Sequence, residues 1–66
     1  MNISLNGEAR GIEGQKSLSD LVAELGLEPR MILIEHNGCA LHRSEWLERG
    51  LAEGDRIEIL QVAAGG

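Results

Sequence analysis

Ser17-Leu18-Ser19-Asp20-Leu21-Val22-Ala23-Glu24-Leu25-Gly26 decides the fold, because both ends of a helix are written into it. Ser17 offers a hydroxyl to the unpaired N–H groups of a first turn. Asp20 stands three positions on, where a carboxylate reaches back to the cap, although Glu or Gln is more usual there. Leu18, Leu21, Val22 and Leu25 recur at helical spacing and make one apolar face. Gly26 suits the left-handed position past the last turn, and Pro29 prevents continuation. An amphipathic helix needs something to cover, and the flanking sequence supplies strands.

Upstream, Asn2-Ile3-Ser4-Leu5-Asn6 alternates polar and apolar, as a half-buried strand does. Asn6-Gly7 favours a tight hairpin turn, with a returning strand over about Glu8 to Glu13. A two-residue turn sets Glu8 and Arg10 opposite Leu5 and Ile3, which is poor patterning for a buried face. A bulged turn repairs it, and both registers stay open. Downstream, Met31-Ile32-Leu33-Ile34 reads as a central strand, apolar on both faces. Asn37-Gly38 is a second turn, leading to a short strand near Cys39 to Leu41. Ser44 to Arg49 reads as one helical turn that packs Trp46 and Leu47 inward and ends at Gly50. Glu53-Gly54-Asp55 is a third turn, and Arg56 to Val62 is the last strand. The expected fold is α+β, a mixed sheet of four or five strands packed on one helix. Residues 1–62 form the domain and residues 63–66 a flexible tail.

A chain of 66 residues makes one small domain with a small core. Eleven Asp and Glu against six Lys and Arg give a net charge of −5, which disfavours a nucleic-acid binder. Trp46 is the only aromatic residue, so no stacking platform or aromatic cage is available. Cys39 is the only cysteine, which argues against a disulfide-stapled secreted domain. With no signal-like N-terminus and no apolar run longer than Met31 to Ile34, a soluble, cytoplasmic protein is expected. So little side-chain bulk makes an enclosed substrate pocket unpromising, and points to a protein that enzymes act upon.

Ala63-Ala64-Gly65-Gly66 follows the last strand, four small uncharged residues that span roughly 13 Å when extended. Such a tail fits a narrow cleft, and its glycines leave a carboxylate on Gly66 open to attack. Two glycines are costly to order, so the tail contributes nothing to stability. Taken alone it is equally well a frayed end.

The order strand, strand, helix, strand, strand followed by Gly-Gly resembles the β-grasp fold of ubiquitin and the prokaryotic sulfur carriers. The chain is most similar to the thiazole-biosynthesis sulfur carriers, the ThiS family, over essentially all 66 residues. Met1 to Gly7, Arg43-Ser44-Glu45-Trp46 and above all Glu53 to Gly66 carry that resemblance. The family usually has proline before the basic residue of the second segment, where this chain has His42. That departure touches a turn.

The resemblance implies that a ThiF-like enzyme adenylates the Gly66 carboxylate with ATP. Sulfur from a cysteine desulfurase or sulfurtransferase then displaces AMP, and a ThiG-like thiazole synthase takes it from the thiocarboxylate for thiamin. The carrier itself is then no enzyme and binds no cofactor. Gly65, Ala64 and Ala63 would line the partner's channel. If Ile57 and Ile59 face the helix, alternation puts Glu58, Leu60 and Val62 on the open face, beside one apolar face of the Met31 to Ile34 strand. A docking patch and the completion of a small core both fit that placement. The small subunit of molybdopterin synthase, a ubiquitin-like modifier and a β-grasp interaction module with an idle tail are the rival readings.

His36, Cys39 and His42 stand at three-residue spacing, but a structural zinc site needs a fourth ligand, and Asn37-Gly38 turns the chain between them. Cys39 has no evident oxyanion hole or cleft, so packing is the simpler role.

Overall fold

Two Asn-Gly dipeptides fold the sheet. Asn6 and Gly7 have φ of 51° and 84°, and Asn37 and Gly38 of 52° and 84°. These are the paired left-handed conformations of a two-residue turn whose twist matches the strands it joins. The computed structural model describes residues 1–14 and 16–62. The elements are β1 (Asn2–Leu5), β2 (Glu8–Gly11), α1 (Leu18–Leu25), β3 (Ile32–His36), β4 (Cys39–Leu41) and β5 (Arg56–Gln61). The five strands form one sheet in the order β2-β1-β5-β3-β4. β1 and β5 run parallel and the other pairs antiparallel, so the sheet is mixed, with one helix across one face.

α1 follows its sequence signals closely. The Asp20 N–H donates to the Ser17 hydroxyl at 3.2 Å and the Ser17 N–H to the Asp20 carboxylate at 2.9 Å. Those bonds favour the ionised carboxyl and lower its pKa. Gly26 closes the helix with φ of 71°. Leu18, Leu21 and Val22 are buried against Ile3, Ile32, Ile34 and Ile57 from the sheet, with Ile12, Leu41, Trp46 and Leu51 filling the ends.

Four readings are decided or corrected. The first hairpin has no bulge: Leu5 pairs with Glu8 and Ile3 with Arg10. The poor patterning does no harm because β2 is an edge strand, exposed at every residue, and stops at Gly11. β3 is apolar on both faces, as read, but only one of them is buried. Ile32 and Ile34 are buried, whereas Leu33 is 58% exposed, because the helix covers one face only. Met31 belongs to a short 3-10 turn (Pro29–Met31), and the middle of the sheet is held by β5. Finally, Trp46 is buried but Leu47 is 73% exposed. The segment winds as a 3-10 turn over Arg43–Glu45 and the helix goes no further, so neighbouring residues point apart.

Candidate functional site

The face of the sheet away from α1 has no cover among the described residues. β5 lies antiparallel to β3 with Leu60 opposite Leu33 and Glu58 opposite Glu35. Direct cross-strand partners project from the same face, so the two leucines form an apolar pair and the two glutamates a like-charged pair beside it. Leu60 is 63% exposed and Val62, one residue past the strand, 39%. These two therefore lie on the open face and do not complete the core, and Glu58 is exposed with them. Leu33, Glu35, Ala40, Glu58 and Leu60 border a shallow hollow of ≈ 480 Å³. Gly66, Gly65, Ala64 and Ala63 lie outside the described residues, but their starting point is fixed. The Val62 N–H donates to the Met31 carbonyl at 2.7 Å, so the chain is still paired to the sheet one residue before the tail begins.

What holds β5 in place was not legible in the sequence. Both turn asparagines reach across to it. The Asn6 side chain accepts from the Ile59 N–H at 2.7 Å and donates to the Ile59 carbonyl at 3.1 Å, standing in for a strand residue where β1 has ended. The Asn37 side chain accepts from the Arg56 N–H at 2.7 Å and donates to Asp55 at 3.1 Å. The Asn-Gly pairs advertise positive φ, but nothing in the sequence says where the amides point.

Asp55 gathers the end of the sheet. Its carboxylate accepts from the Ala52 N–H at 2.9 Å and lies 2.7 Å from Nε2 of the buried His36. An ionised carboxylate only accepts, so Nε2 carries the hydrogen. Burial works to raise the Asp55 pKa, but the hydrogen bonds from His36, Asn37 and Ala52 together outweigh it and hold the carboxyl below its ordinary value. His36 is thus committed to the fold, while Cys39 and His42 are exposed. Among the described residues, no three His, Cys, Asp or Glu side chains converge as metal ligands.

The sequence model of the ThiS family matches residues 3–66. The chain belongs to the ThiS family. The sulfur carrier protein ThiS of Thermus thermophilus is 36% identical over 62 residues, which are 94% of this chain and 95% of that one. A thiazole synthase of Paramagnetospirillum magneticum is 29% identical over 66 residues, all of this chain, yet the chain spans only 20% of that protein's length. The crystal structure of the thiamine biosynthesis protein ThiS from Geobacter metallireducens matches with a TM-score of 0.86 at 26% identity, covering 100% of both chains. A solution structure of a thiamine biosynthesis protein from the same organism gives 0.82 at 26% identity, over 88% of that chain. Membership makes this protein a small sulfur carrier and not a catalyst. No helix among the described residues is long and apolar enough to cross a membrane.

Proposed function

We propose that the protein carries sulfur for the thiazole of thiamin as a thiocarboxylate on Gly66. The observation behind this reading is a ThiS-family domain whose paired chain runs through Val62 into Ala63-Ala64-Gly65-Gly66. A carboxylate is a poor electrophile. A partner enzyme therefore spends ATP to adenylate it, with pyrophosphate leaving. A persulfide on a cysteine desulfurase or sulfurtransferase displaces AMP to give an acyl disulfide, which a thiol then cleaves reductively to leave the thiocarboxylate. Thiazole synthase then receives the sulfur, a role consistent with the thiazole synthase that is 29% identical to this chain over 66 residues. ATP belongs to the adenylating enzyme, and this chain needs no cofactor of its own.

Gly65, Ala64 and Ala63 have nothing larger than a methyl group to keep them from a narrow channel. Leu60 and Val62, with Leu33 beside them and Glu58 at the rim, supply the docking patch, an apolar centre with an acidic border. Removing Gly66 tests the reading against a plain interaction module. A carrier lacking its last glycine loses ATP-dependent activation and fails to support growth without thiamin. Full growth on the shortened chain would assign the tail no role.

A further inference from the structure

β5 outruns β1. The parallel pairing stops with Leu5 opposite Ile57, whereas β5 continues to Gln61. Along a strand the N–H and C=O groups of successive residues point alternately to the two neighbours. Asn37 N–H donates to the Arg56 carbonyl and Val62 N–H to the Met31 carbonyl, so residues 56, 58, 60 and 62 face β3. Ile57, Ile59 and Gln61 face the other way, towards β1. Asn6 takes the Ile57 carbonyl through its own N–H and closes Ile59 with its side chain. Gln61 is the next position, exposed, and among the described residues nothing pairs with its N–H or C=O. Beside it, towards the helix, Leu5, Asn6, Leu25, Leu27, Ile59 and Gln61 line a hollow of ≈ 330 Å³.

An open strand edge invites another strand, and proteins usually guard such edges with charge or proline. β2 has Glu8 and Arg10 on its edge. From Gln61 onward the chain carries no charged side chain and no proline. Residues 63–66 also offer almost no side chain to grip, so a partner that holds them must hold backbone.

We propose that Gln61 is the first rung of an intermolecular ladder. An extended segment of the adenylating enzyme adds to β5 in the place β1 leaves vacant, at the point where the chain leaves the sheet for its tail. The added strand contributes main-chain hydrogen bonds and one apolar side chain, which fills the hollow between Leu25, Leu27 and Ile59. This rests on the adenylation reading above and deepens it, by naming how the tail is held.

The test removes one hydrogen. The Gln61 N–H does not serve β3, so Gln61→Pro, or an ester in place of that amide in a synthetic chain, deletes the rung and leaves the internal ladder whole. Both should melt near the unaltered protein. For each, KM for the carrier in ATP-dependent adenylation should rise about ten-fold, the worth of one hydrogen bond in binding. In the unaltered protein, the Gln61 amide should exchange its hydrogen rapidly when free and slowly in complex with the adenylating enzyme. Unchanged KM in a folded variant, or equally rapid exchange in the complex, overturns the proposal. If Gln61→Pro fails to fold, amide exchange in the unaltered protein decides. Protection that grows with carrier concentration alone assigns the edge to a second copy and overturns it too. No adenylation of the unaltered carrier sinks the functional reading, whereas adenylation with Gln61 unprotected sinks only the ladder.

Discussion

Asn6 combines two jobs that can be separated by substitution. Its backbone adopts φ of 51°, which glycine tolerates at least as well, and its amide makes two bonds to Ile59. Asn6→Gly keeps the turn and loses the bonds, and should cost about 1–2 kcal/mol in denaturant unfolding. No loss would mean that the amide bonds contribute nothing net. Asp55 makes a prediction about pH. Its folded pKa is depressed, so its contribution is present above the unfolded value, about 3.9, and disappears as pH falls through the folded value. Asp55→Asn should therefore lower stability by about 2 kcal/mol near neutral pH. The gap to the unaltered protein should close below about pH 4. A gap constant from pH 7 to pH 3 would show that the charge of Asp55 is not what holds His36, Asn37 and Ala52. Neither residue role could be read beforehand, because each depends on a partner 18 or more positions away.

At the scale of elements, the sequence was legible wherever the determining contacts are local. Ser17, Asp20 and Gly26 define α1 within ten residues, and both Asn-Gly turns are self-contained. Period-two alternation in Arg56 to Val62 likewise placed Ile57 inward and Leu60 outward. Long-range pairing is where that reading stopped. The opposition of Glu35 and Glu58 follows from the β3–β5 register, which no local pattern specifies. The exposure of Leu47 follows from a 3-10 winding that periodicity does not distinguish from an α-turn. The open face also separates stability from function. Leu60→Glu adds a third carboxylate beside Glu58 and Glu35 at a site already 63% exposed, so unfolding should shift little while adenylation by the partner slows at least several-fold. Leu21→Ala is the opposite case: it empties a fully buried position and should cost about 2–5 kcal/mol in unfolding. If Leu60→Glu is adenylated at the unaltered rate, the patch is not the docking face.

For the whole molecule, the division of labour is simple. The helix and one face of the sheet bury most of the large apolar side chains, while Leu33, Leu60 and Val62 stay exposed on the opposite face, which the proposal assigns to partners. In the proposed reading the domain offers a handle and an end group, and the chemistry lies with the enzymes that bind it. The tail residues carry that claim, and they are tested most directly by weighing the protein. Incubated with the adenylating enzyme, ATP, a cysteine desulfurase, cysteine and a thiol reductant, the intact chain should gain the mass of one oxygen replaced by sulfur, localised to Gly66 by fragmentation. An unchanged mass with all partners active, or sulfur found on Cys39 in place of Gly66, would contradict the account.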